Sequence, residues 1–253
     1  MTNFVLVHGT AHGGWCSRSL SPLLRAAGHE VYTPTLTGLG ASSHLAGKIP
    51  ITLATHIEDV TNTLFYEDLS EVVLVGHSYA GMVITGVAAK QPERLAHLVY
   101  LDAYLPNKGE REIDLWPQNE AYQSAREEIE RGETLHPVPS NFAAIMGITD
   151  PELVEWAKAR FTPQPLSTYK DAPPAGSAES SSISRTYIHC TVGSYASIMQ
   201  VFASRAQGFG WKVYNLSAGH DAMLTHPKEL AYILLEVANS LSGQTAGTDP
   251  HHL

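Results

Sequence analysis

Short, continuously apolar runs recur along the chain and alternate with longer stretches whose apolar residues have helical spacing. Apolar runs that do not alternate with polar residues are expected for parallel strands that helices cover on both faces. Six runs predict strands, the last as a mixed edge strand: Phe4–His8, Glu30–Pro34, Val72–Gly76, Leu98–Leu101, Thr186–Cys190 and Trp211–Leu216. Helical spacing predicts helices over Ser17–Ala27, Leu53–Leu64, Gly81–Gln91 and Lys228–Leu241. This alternation predicts the α/β class with a doubly wound, mostly parallel sheet.

The alternation stops in the proline-rich stretch between residues 105 and 184, which contains no strand-like apolar run. Helical patterns remain there over Asn119–Gly132 and Pro151–Phe161, so we expect an inserted helical cap. Its last part, Pro173–Ser184, has the low apolar content of a linker or mobile loop. We therefore divide the chain into a core of residues 1–104 and 185–241, a helical cap of residues 105–184 and a flexible tail of residues 242–253.

A serine between a buried strand and a helix start is the first candidate for chemistry. The run Val72–Val75 leads into Gly76-His77-Ser78-Tyr79-Ala80-Gly81 and then a helix, which is the context of a nucleophile elbow. The sharp turn needs small neighbours, and Gly76 and Ala80 are small. The helix N-terminus also directs backbone N–H groups toward charge that develops beside the serine. Ser78 is the predicted nucleophile, and the alternative is an incidental serine in a tight turn.

A serine hydroxyl is a poor nucleophile until a base removes its proton. His220 lies in Ser217–Asp221, a loop that follows the last predicted strand and precedes a helix beginning near Pro227. The order of serine before histidine fits a nucleophile elbow followed by its base. His220 is therefore the predicted general base, and the alternative is a loop histidine with structural hydrogen bonds only.

Several segments together resemble one family. The loop His8–Trp15, the elbow and Ala218–Leu224 are similar to bacterial esterase relatives of plant methyl salicylate esterases, polyneuridine aldehyde esterases and hydroxynitrile lyases. Thr33–Gly40 and Thr162–Leu166 extend the similarity over nearly the whole chain. The resemblance implies an α/β-hydrolase fold.

The resemblance also implies that the backbone N–H groups of Thr10 and Tyr79 form the oxyanion hole. A glycine-flanked loop directly after the first strand supports this assignment, because it lets a backbone amide approach a tetrahedral oxyanion. Such a donor contributes about 3 kcal/mol. The alternative, a dinucleotide-binding loop, would need the pattern G-x-G-x-x-G, which His8–Trp15 lacks.

The sequence departs from the family at two positions. The hydroxynitrile lyases carry a lysine directly after the catalytic histidine, and this chain carries Asp221 there. Cyanohydrin cleavage by that mechanism is therefore not expected. The plant relatives place the acid of the triad in a segment that corresponds to Cys190–Ser197, which contains no carboxylate here.

Asp102 is the predicted acid, because it ends the strand Leu98–Leu101 and the carboxyl ends of parallel strands face the ligand crevice. Haloalkane dehalogenases, within the same superfamily, place their acid after this strand. The alternatives are that Asp102 only caps the turn that follows it, or that Asp221 or Glu179 supplies the carboxylate. A Ser–His dyad without an acid is the last alternative.

The predicted cap should cover the nucleophile and select the substrate. Its aromatic and aliphatic side chains suit a mid-sized apolar or aromatic acyl compound, although about half of them should form the cap's own core. The predicted pocket residues are Ala11, His12, Tyr104, Leu105, Trp116, Phe142, Met146, Trp156 and Met223.

The composition argues against some classes of binding partner. Sixteen Lys and Arg against 25 Asp and Glu give a formal charge of −9, which argues against nucleic acid or an anionic membrane as partner. No spacing indicates a metal site or a cofactor, and Cys16 and Cys190 are expected to be buried packing thiols. With neither a signal-peptide pattern nor a membrane-length apolar run, we expect a cytoplasmic protein. A homodimer is left open.

These features predict a cofactor-independent serine carboxylic-ester hydrolase that acts on a small, largely apolar or aromatic ester through an acyl-enzyme. Two alternatives keep the same fold and site. One is a lyase or cyclase that uses Ser78 and His220 on a secondary metabolite, and the other is a non-catalytic small-molecule binder.

Overall fold

A computed structural model describes residues 1–174 and 183–245 of the chain. Six of its strands form one sheet in which every neighbouring pair is parallel. Within the described residues the strands are β1 (Asn3–Val7), β2 (Glu30–Tyr32), β3 (Val72–His77), β4 (Leu95–Leu101), β5 (Leu135–His136), β6 (Gln164–Pro165), β7 (Ser184–Cys190) and β8 (Lys212–Leu216).

The large sheet has the order β2-β1-β3-β4-β7-β8, so β8 lies at an edge as predicted. All six predicted strands are confirmed, with ends that differ by up to three residues from the expected ones. The register brings the carboxyl ends of the central strands together, because Val7 pairs with Gly76 and Leu101 pairs with both His77 and Ile188. The loops that carry Thr10, Ser78 and Asp102 therefore leave the sheet at one edge.

The helices lie between the strands of the sheet and in the stretch predicted as the cap. Those in the described residues are α1 (Ser21–Ala26), α2 (Leu53–Tyr66), α3 (Ala80–Lys90), α4 (Glu112–Leu115), α5 (Glu120–Glu130), α6 (Phe142–Ile145), α7 (Pro151–Lys158), α8 (Ala196–Gly208), α9 (Ala222–Thr225) and α10 (Pro227–Thr245). Short 3-10 turns add Gly14–Ser17, Gly40–Leu45, Pro92–Arg94 and Leu166–Tyr169. No helix among the described residues is long and apolar enough to cross a membrane.

Two differences from the predicted helices have physical causes. The helix expected over Ser17–Ala27 is a 3-10 turn followed by the shorter α1, which begins with Pro22 in its first turn because proline fits a helix start. The helix α8 was not predicted. Its apolar residues do not form one clear stripe, because Val201 is exposed while Met199 and Phe202 are buried.

The core consists of two apolar clusters, one on each face of the sheet. Successive residues of β1 alternate between them: Val5 and Val7 pack with α2, α3 and α8, whereas Phe4 and Leu6 pack with α1 and α10. Burying an aliphatic side chain of this size stabilises the fold by about 1.5–3 kcal/mol. Cys16 and Cys190 are buried and free, as expected for packing thiols.

Between β4 and β7 the chain leaves the sheet and forms α4 to α7. The predicted helical patterns correspond to α5 and α7, and the two-residue strands β5 and β6 form an antiparallel pair that was not predicted. The last helix continues to Thr245, past the expected boundary at residue 241. Residues 175–182, which include Glu179 and most of the predicted linker, and residues 246–253 of the predicted tail lie outside the described residues.

Candidate active site

The turn after β3 holds Ser78 in a conformation that side-chain-bearing residues rarely adopt. Its φ is +55°, and a left-handed backbone of this kind costs about 1–3 kcal/mol. Hydrogen bonds from three directions hold it: Ser78 N donates to Leu101 O at 3.2 Å, and Ser78 O accepts from Gly81 N at 3.0 Å and Tyr104 N at 3.1 Å. The end of β4 therefore fixes the turn that presents the serine.

Small residues around this turn are required by contact distances. A Cβ atom on Gly76 would lie 2.7 Å from Ala80 O, and one on Gly81 would lie 1.9 Å from Tyr104 O. A Cβ atom on Gly9 would lie 2.8 Å from Ser78 Cβ, so the loop after β1 packs directly against the serine. The sequence segments GHSYAG and HGTAHGGW therefore meet in space.

Asp102 and His220, which are 118 positions apart, form a 2.6 Å hydrogen bond between His220 Nδ1 and Asp102 Oδ2. Asp102 is fully buried and has a φ of +43°. Its other oxygen, Oδ1, accepts from Cys190 N at 2.9 Å and from His189 Nδ1 at 3.2 Å. Burial opposes its charge, but the hydrogen bonds from His189, His220 and Cys190 outweigh burial and hold the pKa of Asp102 below its ordinary value.

Because Asp102 is ionised, His220 donates from Nδ1 and has an acceptor at Nε2. That Nε2 is buried and has no hydrogen-bond partner among the described residues, Ser78 included. In unliganded enzymes the contact between nucleophile and base is often long and shortens in the complex. Tyr195 stacks on the His220 ring with centroids 4.2 Å apart, and His77 Nε2 donates to the His220 carbonyl at 3.0 Å. The ring is therefore oriented from several sides.

The two amides predicted to hold an oxyanion are free of internal acceptors. Neither Thr10 N nor Tyr79 N donates a hydrogen bond within the described residues. The Thr10 hydroxyl bonds to the Tyr169 hydroxyl at 3.0 Å, and Ala11 N donates to Gln164 Oε1 at 3.1 Å. These contacts hold the loop after β1 in place and leave its Thr10 amide available.

A second Asp–His pair lies beside this loop. Asp221 is fully buried, and its Oδ2 accepts from His12 Nε2 at 2.9 Å. His12 Nδ1 donates to Thr10 O at 2.6 Å. Burial opposes both charges, but their mutual attraction raises the pKa of His12 and lowers the pKa of Asp221. The Asp221 carboxylate thus bonds to His12 and not to Nδ1 of His220.

A cavity of about 310 Å³ opens beside Ser78 and extends under α4 to α6. Five of the predicted pocket residues line it, together with Thr10, His77 and Ser78: His12, Tyr104, Trp116, Phe142 and Met146.

The other four predicted pocket residues do not line the cavity. Leu105, in the loop after β4, packs into one apolar cluster, and Met223, in α9, packs into the other. Ala11 is buried beneath Gln164, to which its amide is bonded. Trp156 instead packs on Trp15, with the Arg160 guanidinium 4.2 Å from its ring centroid. The structure therefore does not bring these four residues together with the other five around this cavity.

Several residues that the sequence did not single out line the cavity or support the site. Glu112, Tyr122 and Tyr169 are in the cavity wall, and Tyr195 stacks on His220. Gln164 lies in Thr162–Leu166, and Tyr195 lies in Cys190–Ser197, a segment inspected only for a carboxylate. Thr162–Leu166 carried the family resemblance, which was the available signal for Gln164, whereas Cys190–Ser197 was noted only as a departure from the family. Within residues 1–174 and 183–245, no group of three metal-ligating side chains could hold a metal ion.

Comparisons with known proteins agree with this architecture. Residues 4–231 match the model of the alpha/beta hydrolase family. A carbendazim hydrolyzing esterase from Nocardioides sp. (strain SG-4G) is 39% identical over 91% of this chain and 97% of its own length. Salicylic acid-binding protein 2 from Nicotiana tabacum is 28% identical over 94% of this chain and 97% of its own length.

Among solved structures, an extracellular alpha/beta-hydrolase from a Paenibacillus species superimposes with a TM-score of 0.77. The superposition covers 93% of this chain and 98% of that one, at 22% identity. Identity at this level supports the common fold alone.

Proposed function

This chain belongs to the alpha/beta hydrolase family and is a carboxylic ester hydrolase, and from this premise we propose that Ser78, His220 and Asp102 carry the reaction. The observation that supports the proposal most is the 2.6 Å bond from His220 Nδ1 to the ionised Asp102, which leaves Nε2 as an unpartnered base. Hydrolysis is retained over the lyase, cyclase and binder alternatives because the 39%-identical relative is named an esterase.

In the proposed reaction, His220 Nε2 takes the proton of Ser78 as the hydroxyl attacks the ester carbonyl. The ionised Asp102 stabilises the imidazolium that forms and keeps Nδ1 protonated. Imidazolium then donates its proton to the leaving alcohol, and the acyl group stays on Ser78. Water, activated by the same histidine, attacks the acyl-enzyme and releases the acid.

The negative charge on the carbonyl oxygen develops between two backbone amides. We assign Thr10 N and Tyr79 N as its donors, because both lie beside Ser78 and neither has an acceptor in the described residues. A preorganised donor of this kind is worth about 3 kcal/mol in the transition state. The N-terminus of α3, which begins at Ala80, adds a favourable dipole.

The proposed substrate is a small, largely apolar or aromatic ester. The cavity wall includes the aromatic side chains of Trp116, Phe142 and Tyr169, and the cavity volume is about 310 Å³. We propose that residues 105–184 act as the cap that selects this substrate. The formal charge of −9 supports neither nucleic acid nor membrane as partner, and a cytoplasmic location remains part of the proposal.

Labelling with a serine-directed fluorophosphonate tests the nucleophile. The expected result is one adduct, mapped by mass spectrometry to Ser78, with complete loss of hydrolysis of an activated aryl ester in Ser78→Ala. Wild-type protein should also show a burst of alcohol release, which indicates an acyl-enzyme. Absence of an adduct at Ser78, or full activity of Ser78→Ala, would refute the assignment. Ser194→Ala is the matched control, because Ser194 lines the same cavity.

A further inference from the structure

One carboxyl group in the cavity has no place in the proposed reaction. Glu112, in α4, lines the same cavity as Ser78 and is 3% exposed. Trp116 Nε1 donates to its Oε1 at 3.3 Å. Its other oxygen, Oε2, is buried and has no hydrogen-bond partner in the described residues. Buried polar atoms in folded proteins are nearly always paired, so an unpaired one in a ligand cavity needs an explanation.

Groups around Glu112 in the described residues do not provide a partner for its second oxygen. Five tyrosines from separate segments lie close enough for an electrostatic interaction with its carboxyl group, namely Tyr79, Tyr104, Tyr122, Tyr169 and Tyr195. Hydroxyl groups of these tyrosines have other partners: Tyr79 bonds to His56, Tyr104 to Tyr122, and Tyr169 to Thr10. No Lys, Arg or His forms an ion pair with Glu112 within the described residues.

Burial raises the pKa of Glu112 to about 8, so near neutral pH the group is mostly the uncharged acid. With Oε1 accepting from Trp116, the acid hydrogen belongs on Oε2, the unpartnered oxygen. The cavity wall therefore includes an acid whose donor lacks an acceptor among the described residues, and aromatic side chains line the same cavity.

We propose that Glu112 is a specificity-determining residue that binds a basic ring nitrogen of a planar aromatic ester while the ester carbonyl lies at Ser78. This inference rests on the proposed function of Ser78 and extends it to a substrate class, the esters of nitrogen heteroaromatic compounds. The Oε2–H group donates to the ring nitrogen, and a sufficiently basic nitrogen takes the proton and forms a charge-assisted pair. An isosteric ring without nitrogen leaves the acid unpaired.

Planarity and weak basicity follow from the same surroundings. A rigid flat ring suits a cavity whose walls include Tyr104, Trp116, Tyr122 and Tyr169. An aliphatic amine is already protonated near neutral pH, so it offers no acceptor to the neutral acid that burial favours. A heteroaromatic nitrogen is satisfied by the neutral acid, so it matches the protonation state that the cavity favours.

The test compares acetate esters of hydroxyquinolines with the isosteric acetate esters of naphthols, using kcat/KM for each. For each protein we take the ratio of kcat/KM for the quinoline ester to kcat/KM for the naphthalene ester. The wild-type ratio is then divided by the ratio in Glu112→Leu, so that the intrinsic reactivity of the esters cancels. We expect this quotient to be about 10 or more for at least one quinoline isomer, as for a lost hydrogen bond to an ionisable group. Methyl esters of quinoline and naphthalene carboxylic acids test the acyl side in the same way.

Two further variants separate recognition from folding. Glu112→Gln keeps the shape and should give an intermediate ratio, because an amide donates but cannot transfer its proton. Glu128→Gln is the matched control: Glu128 is also a buried glutamate of the same stretch, but it is paired with His136 and does not line the cavity. It should leave the ratio unchanged.

The outcomes are distinguishable from failure of the proposed function. Normal fluorophosphonate labelling of Ser78 with a quotient near 1 for every isomer would refute the role of Glu112 and leave the esterase proposal standing. Loss of wild-type labelling would refute the esterase proposal itself. If Glu112→Leu fails to fold, binding of quinoline and naphthalene ligands to Ser78→Ala and Ser78→Ala/Glu112→Gln decides the question: equal selectivity in both would overturn the inference.

Discussion

Two buried Asp–His pairs lie side by side in this molecule, and neighbouring residues of one loop contribute to both. His220 bonds to Asp102, and the next residue, Asp221, bonds to His12. Both pairs are almost fully buried, and each histidine has an aromatic ring stacked on it. They differ in what the second ring nitrogen does. His220 Nε2 has no partner among the residues that the structure describes, whereas His12 Nδ1 donates to Thr10 O.

The difference shows how one chemical pair can serve two purposes. A histidine with a free acceptor nitrogen can take a proton from a nucleophile. A histidine whose two nitrogens both donate is a cation, so it has no nitrogen left to accept a proton from a nucleophile. We propose that His12 is a positioning residue, because it holds the Thr10 carbonyl while Gln164 holds the Ala11 amide of the same peptide group. Together they fix the loop that supplies an oxyanion donor.

Replacing the two histidines gives the largest contrast. His220→Ala should lower kcat for an activated aryl ester by about 10,000-fold, because it removes the base. His12→Ala should lower kcat by about 100-fold, comparable to the loss of one oxyanion donor. Steady-state kinetics at pH 8 measures both. Equal losses in the two variants would contradict the separate roles, provided that circular dichroism shows both proteins folded.

Replacing each aspartate by asparagine, in separate variants, tests the same difference between the two Asp–His pairs. The aspartates lie one step further from the substrate than the histidines. Asp102→Asn should lower kcat by about 1,000- to 10,000-fold, because a neutral amide no longer fixes the tautomer of His220. Asp221→Asn should lower kcat by about 10-fold, because it weakens the hold of His12 on the loop that carries Thr10. A loss of only a few-fold in Asp102→Asn would mean that Asp102 serves merely as a turn cap.

The second pair should also give stability a particular dependence on pH. Its two groups have opposite shifts: the pKa of Asp221 is lowered from 3.8, and the pKa of His12 is raised from 6.5. The Asp221 contribution is present above pH 3.8 and is lost as the pH falls below that value. The His12 contribution is present below pH 6.5 and is lost as the pH rises through its folded pKa.

The free-energy difference between wild type and Asp221→Asn should therefore be largest between these values. We expect about 3 kcal/mol at pH 5.5, as for breaking a buried pair, and a smaller difference at pH 9. Urea unfolding at both pH values measures this free-energy difference. Glu155→Gln is the control, because Glu155 forms an exposed ion pair with Lys158. A difference that grows from pH 5.5 to pH 9 would contradict the assigned charge on His12.

Much of this site could be predicted from local sequence. The elbow around Ser78 needs a strand, small residues and a helix in direct succession, and all of these are contiguous. His220 follows the last strand, and Asp102 ends a strand, so both can be located once the sheet order is understood. The role of His12 could not be predicted, because His12 and Asp221 are 209 positions apart and meet only when the loops after β1 and β8 pack together.

The cavity was the least predictable part. Aromatic and aliphatic residues are alike in sequence whether they line a cavity or fill a core, which is why the sequence could not show that Leu105 and Met223 pack in the core. Glu112 has the opposite problem: a glutamate in a polar stretch is typical of a solvent-exposed helix. In the folded chain Glu112 is buried, and Trp116 donates a hydrogen bond to it.

The sequence by itself determined the parallel sheet, the elbow and the order of serine before histidine, because apolar periodicity and turn chemistry act over a few neighbouring residues. The tertiary structure decided which carboxylate pairs with which histidine, which amides remain free and which acid is left without a partner in the cavity. Those properties depend on burial and on hydrogen bonds between distant segments, and no local pattern encodes them.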